Sequence, residues 1–124
     1  MSIALLLAGA FAAQTTNQLT VNAPGVDQID VAFEELSQGR NHDAVELLEG
    51  SALVKDQDPA ALINLGTAYA RLGQFEMARR NYAAAMSSEN RYVLELADGS
   101  WVDSRRAARM ATTALSQGRT LALK

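Results

Sequence analysis

The amino-acid sequence predicts an all-α protein made of helical hairpins, with one small β-hairpin inserted near residues 91–102. Apolar residues recur at helical spacing in several runs, and Gly73 separates two of these runs. The sequence also repeats internally, because Gly39 and Gly73 are 34 residues apart, as are Ala44 and Ala78. We therefore expect about two helical hairpins followed by one closing helix.

The composition favours a single domain without catalytic chemistry. The chain has 124 residues, a net charge of −3 and no cysteine, so disulfides and thiolate sites are excluded and nucleic-acid binding is disfavoured. Its only histidine, His42, is predicted at an exposed helix start, which leaves neither a catalytic triad nor a zinc site. We expect no enzyme activity, no cofactor, no metal and no nucleic-acid partner. Charge is distributed unevenly along the chain, with −7 over residues 27–58 and +4 over residues 59–124. This asymmetry either steers a partner or is simply solvated surface.

The first 24 residues carry no charged side chain. Residues 3–13 are apolar but shorter than the roughly 20 residues that span a bilayer. They resemble the apolar region of a secretory signal peptide, and small residues suited to a peptidase follow. The alternative is an apolar helix that packs on the first hairpin. We expect a signal peptide at residues 1–13, a flexible linker at 14–24, a domain at 25–124, no stable membrane span, and a periplasmic or secreted location in a bacterium.

Residues 26–38 are predicted to form the first helix, with apolar side chains at Ile29, Ala32, Phe33 and Leu36. Gly39 ends that helix, and Asn41 or Asp43 begins a second one that runs to Gly50. Residues 51–57 are expected to connect this hairpin to the next.

The second hairpin begins at Asp58, a good N-cap, followed by Pro59 at the first helical position. Small residues at Gly66 and Ala78 let its two helices approach closely. These positions resemble one tetratricopeptide repeat (TPR), a family whose 34-residue unit has a Leu-Gly-x-x-Tyr core and small residues in its second helix. Counted from Pro59, the matching positions are Leu65, Gly66, Tyr69, Ala78, Tyr82 and Ala85. Asn90 departs from the family's usual proline, and the first hairpin is a degenerate copy that fits a terminal repeat.

Residues 91–96, a turn at 97–99 and residues 100–102 predict a β-hairpin, which should pack on the helices through Tyr92 and Trp101. Asp103 and Ser104 then cap a last helix over residues 105–117, predicted to close the array. Residues 115–119 repeat residues 36–40 identically. Residues 120–124 are too short to form a partner helix.

The resemblance implies a non-catalytic module that binds a protein or peptide in a groove lined by the first helix of each hairpin. Some family members hold a terminal carboxylate with one asparagine and two basic residues, which Asn64, Arg105 and Arg109 match. Those family members also carry polar residues in the preceding repeat, where this sequence has Ile29 and Phe33 instead. The expected partner is acidic, and the candidate partner-binding residues are Asn64, Thr67, Arg71, Arg105 and Arg109. Two alternatives remain: both arginines are solvated or paired with Asp103 or Glu95, or the chain is a structural subunit that forms a homo-oligomer or joins a larger envelope assembly.

Overall fold

The computed structural model describes the backbone of residues 26–123 and the side chains of residues 32–123. The predicted signal peptide and linker lie outside these residues. The described elements are α1 (Val26–Ser37), α2 (Asn41–Glu49), α3 (Ala52–Lys55), α4 (Pro59–Arg71), α5 (Phe75–Ser87), β1 (Val93–Glu95), β2 (Trp101–Asp103) and α6 (Ser104–Ser116). This order confirms a mostly helical fold with a small two-stranded sheet where the sequence predicts it.

The same backbone turn ends α1, α4 and α6. Each turn has a glycine in the left-handed region, with φ of 74° at Gly39, 78° at Gly73 and 70° at Gly118. In each, the N–H after the glycine donates to a carbonyl five residues earlier: Arg40 to Glu35, Gln74 to Tyr69 and Arg119 to Ala114. This is the Schellman arrangement, which satisfies carbonyls left free at a helix end. Gly39 and Gly73 thus end their helices as predicted.

Helix α4 lies at the centre of the fold. Pro59 occupies its first turn, and the Asp58 side chain accepts a hydrogen bond from the Ala61 N–H at 2.9 Å. Every residue from Pro59 to Ala70 is buried, because α4 contacts α1, α2, α5 and α6. A polar side chain on any face of this helix must therefore find its hydrogen-bond partner within the protein.

The predicted close approach of α4 and α5 is confirmed at Gly66. A Cβ atom at this position would lie 2.6 Å from Cε1 of Tyr82, whose side chain is fully buried. Between α2 and α4, the segment expected to be only a connection contains the one-turn helix α3. Ser51 caps α3 by accepting the Leu53 N–H at 3.0 Å, a role typical of serine.

The β-hairpin packs on the helices as predicted, but through Leu94 rather than through Trp101. Strands β1 and β2 are antiparallel, with Leu94 opposite Val102 and Glu95 opposite Trp101. Side chains alternate between the two faces of a sheet, so Leu94 faces the core while Val93 and Trp101 point away from it. Trp101 is 64% exposed, and the expectation that it packs on the helices is wrong. Tyr92 is 39% exposed, and its hydroxyl donates to the Asp58 carboxylate at the start of α4.

Candidate partner-binding site

Residues 120–123, which we call the tail, lie extended along α4. The Asn64 side-chain amide holds both backbone groups of Leu123: its Nδ2 donates to the Leu123 carbonyl at 3.0 Å, and its Oδ1 accepts the Leu123 N–H at 2.8 Å. Both Asn64 and Leu123 are fully buried. A side-chain amide used in this way recognises a peptide backbone in one fixed register.

Two more side chains of α4 continue this contact. The Thr67 hydroxyl donates to the Leu121 carbonyl, and Arg71 Nε donates to the Thr120 hydroxyl at 3.1 Å. Residue numbers rise along α4 as they fall along the tail, so the two segments are antiparallel. Seven helical residues and three extended ones both span about 10 Å, which explains why the two registers match.

The tail also adds to the β-hairpin. Leu123 forms an antiparallel bridge with Leu96, and the Ala97 N–H donates to the Ala122 carbonyl at 3.1 Å. The tail thus lies between the end of β1 and the polar row of α4. On one side its backbone is bound by side chains of α4. On the other side it pairs with the hairpin, as an added strand pairs with a sheet edge.

The five predicted partner-binding residues are divided among three places. Asn64, Thr67 and Arg71 share one face of α4 as predicted, but the tail covers this face, and Asn64 and Thr67 are 0% exposed. Arg105 and Arg109 do not converge on one point. Arg105 Nη2 donates to the Ser88 carbonyl at 3.5 Å, and its buried Nε has no partner among the described residues.

Arg109 opens onto a pocket of about 470 Å³ between α6 and the tail. Arg106 and Arg119 line it as well, and Met110, Ala114 and Leu121 contribute apolar surface. We call this the arginine pocket. Among the described residues, no carboxylate lines it, and the guanidinium groups of Arg106 and Arg109 make neither a hydrogen bond nor an ion pair. The pocket is therefore cationic with an apolar wall, and it suits an anionic group attached to an apolar one.

Arg106 and Arg119 are not among the predicted partner-binding residues, although the sequence contains a signal for them. Asp103 is the last acidic residue of the chain, and the bases that follow are Arg105, Arg106, Arg109, Arg119 and Lys124. Arg106, Arg109, Met110 and Thr113 are spaced as one face of a helix. Counting charge by helix face would have located this surface.

Nearby acids are engaged elsewhere. Asp103 accepts a hydrogen bond from Arg91 Nε at 2.7 Å, which lowers the pKa of its carboxyl group. The same carboxylate caps α6 by accepting the Arg105 and Arg106 N–H groups at 3.1 and 3.3 Å. Asp103 thus interacts with the backbone of these two arginines and not with their guanidinium groups.

No family model, curated protein or solved structure matched this chain. Within residues 26–123, no helix combines the length and apolar character needed to cross a bilayer. The described side chains also contain no cluster of three or more histidines, cysteines or acids that could hold a metal ion.

Proposed function

We propose that this protein is a non-catalytic interaction module, with TPR-like hairpins, that binds an acidic segment of a partner protein at the arginine pocket. The observation that carries the proposal is that Arg106, Arg109 and Arg119 line one open pocket to which no acid of the described residues contributes. The absence of cysteine and the single histidine in the sequence favour a binding role over catalysis.

The repeat arrangement is supported by matched details in the two hairpins. The turns at Gly39 and Gly73 have the same hydrogen bonds, and Ala44 and Ala78 are both fully buried 34 residues apart. In this arrangement α1 and α4 are the first helices of two units, and α6 closes the array. The arginine pocket then lies at the last helix, beside the groove that the first helices line.

Electrostatics favours an acidic ligand at this pocket. Three guanidinium groups around one space repel each other, and a carboxylate between them relieves that repulsion. Arginine forks also match carboxylate geometry, so the pair gains directed hydrogen bonds. Because the pocket is open to solvent, salt will weaken the interaction. An apolar side chain beside the acid would cover Met110 and Leu121.

The test is a titration with a fluorescent peptide of repeated Glu-Leu-Gly units and its Gln-Leu-Gly counterpart. The Glu peptide should bind more tightly, and binding should weaken with salt. Arg106→Gln with Arg109→Gln should reduce its affinity, whereas Arg79→Gln with Arg80→Gln on α5 removes the same charge elsewhere and should not. Equal binding of the two peptides, or equal effects of the two double variants, would refute the proposal.

A second candidate function is a structural subunit that associates through the outer face of the β-hairpin. Val93 and Trp101 are 59% and 64% exposed on that face. Large exposed apolar groups on one face of a sheet are typical of protein contacts. Light scattering on a sizing column separates the structural subunit from the interaction module. An obligate oligomer that becomes a monomer on Trp101→Ser would favour the structural role.

We also propose that the protein is exported by a bacterium. The support is the uncharged, apolar stretch over residues 3–13 followed by small residues. Mass spectrometry of the native protein should show a mature start between Phe11 and Gln14. Soluble cytoplasmic protein that begins at Met1 or Ser2 would contradict export.

A further inference from the structure

We infer that the tail is an intramolecular ligand, and that the α4 face beneath it binds an extended partner segment of the form Glu-x-Leu-x-Leu. Together with Arg119, which precedes it, the tail reads Arg119-Thr120-Leu121-Ala122-Leu123. Most of its contacts use the backbone: Asn64 holds both groups of Leu123, and Thr67 holds the Leu121 carbonyl. Another segment with the same apolar spacing can form the same bonds. This inference rests on the proposed function for its acidic position only.

The tail has one unfavourable position, which gives a partner its advantage. Arg119 lines the same pocket as Arg106 and Arg109, so the tail brings a third positive charge to two unpaired ones. Among the described residues, the Arg119 guanidinium donates only to the Gln117 side chain, two residues earlier. A partner with glutamate at this position exchanges repulsion for attraction and retains the backbone contacts. The arginine pocket would thus hold the glutamate of such a segment, and the Asn64 side-chain amide would hold the backbone of its last leucine.

The conformation of the chain before the tail suits release. Gly118 has φ of 70°, and nothing lies within 4 Å of a Cβ at that position, so no neighbouring element packs against this side of the turn. Thr120, Leu121 and Ala122 are only partly buried, and Leu123 is the one fully buried residue of the tail. Removing the tail therefore uncovers a single large apolar site, together with the polar row of Asn64 and Thr67.

The experiment uses the full chain and a fluorescent peptide Glu-Thr-Leu-Ala-Leu, titrated by anisotropy. Leu123→Ser weakens tail docking and should tighten peptide binding at least about ten-fold relative to wild type, because a competitor is removed. Adding Asn64→Leu to Leu123→Ser should lose that gain, since the peptide backbone then lacks its clamp. The peptide Glu-Thr-Ser-Ala-Ser should not bind any variant.

A second variant keeps the core intact. Arg119→Glu makes the tail a better ligand, so it should weaken peptide binding several-fold, while Arg80→Glu makes the same charge change on α5 and should have no effect. If neither Leu123→Ser nor Arg119→Glu changes peptide affinity, the tail is not a competitor and the inference fails.

The failure of the proposed function has a different signature. An Arg-Thr-Leu-Ala-Leu peptide that binds Leu123→Ser as well as the Glu peptide, with the same dependence on Asn64, supports the tail inference but removes the acidic preference. If binding of the Glu peptide depends on Arg106 and Arg109 but not on Asn64, the acidic preference is supported and the tail inference fails.

Discussion

Replacing Gly66 by alanine tests the contact between α4 and α5 on which the fold depends. The new Cβ would lie 2.6 and 2.8 Å from two ring carbons of Tyr82 and 3.1 Å from the Ala78 carbonyl oxygen. Non-bonded carbons prefer about 3.5–4.0 Å, so the ring would have to retreat by roughly 1 Å. Tyr82 has little freedom to do so, because its side chain is fully buried and its hydroxyl lies 2.9 Å from that of Thr67.

The size of the effect follows from two opposing contributions. Alanine in place of glycine favours a helix interior by about 1 kcal/mol, while overpacking a core costs about 1–3 kcal/mol. With Tyr82 unable to move freely, we expect the upper half of that range and a net loss of about 1–2 kcal/mol. For a domain of this size, this corresponds to a fall in melting temperature of about 4–16 °C.

The assay is thermal unfolding followed by far-ultraviolet circular dichroism, with Gly50→Ala as the matched control. Gly50 already has helical φ and ψ of −80° and −5°, and the nearest atom to a Cβ there is 3.6 Å away. The control should therefore melt at the wild-type temperature or slightly above it. If Gly66→Ala is as stable as Gly50→Ala, then the helices do not approach as described.

Three further predictions use single side chains. Absorbance titration should show the three tyrosines ionising above their usual pH. Burial raises the pKa of Tyr69 to about 12 and also raises the pKa of Tyr82 and Tyr92, and hydrogen bonds to carboxylates add to the rise at Tyr69 and Tyr92. The folded form binds these protons more tightly, so stability should fall as pH rises from about 10 to about 12, and Tyr69→Phe should reduce that fall. Trp101 fluorescence should be red and readily quenched in the monomer, since the side chain is 64% exposed; blue, protected emission would instead indicate association through this face. Asp103→Ala should lower unfolding stability by about 1 kcal/mol through loss of the α6 cap, and an unchanged melting temperature would contradict that role.

The helices and their ends could be predicted from the sequence because their signals are local. Asp58, Pro59, Gly39 and Gly73 each determine a cap or a turn through their own backbone chemistry, and the structure places all four as predicted. The β-hairpin was also predictable, since Gly99 adopts φ of 85° in the turn that its sequence signals. The long-range details were harder, because they depend on which residues meet across the fold.

Trp101 and the tail show where local reasoning fails. The size of Trp101 suggested that it is buried. In the structure it pairs with Glu95, so it lies on the solvent face of the hairpin and Leu94 on the core face. This register is known only once the strands are paired. The tail has no helical or strand pattern of its own. Its position follows from Asn64, a buried amide that needs two partners and obtains them 59 residues away. Sequence spacing identified Asn64 as special but not what it binds.

The position of the tail has a consequence for protein synthesis. Asn64 emerges early from the ribosome, and the Leu123 backbone that satisfies it comes 59 residues later. At translation rates of about 5–20 residues per second, this leaves a gap of roughly 3–12 s. During that interval α4 can be helical and packed against α1, α2 and α5, while the tail backbone that Asn64 and Thr67 bind has not yet been made. The nascent chain therefore passes through a stage in which its groove is open before its own tail can close it.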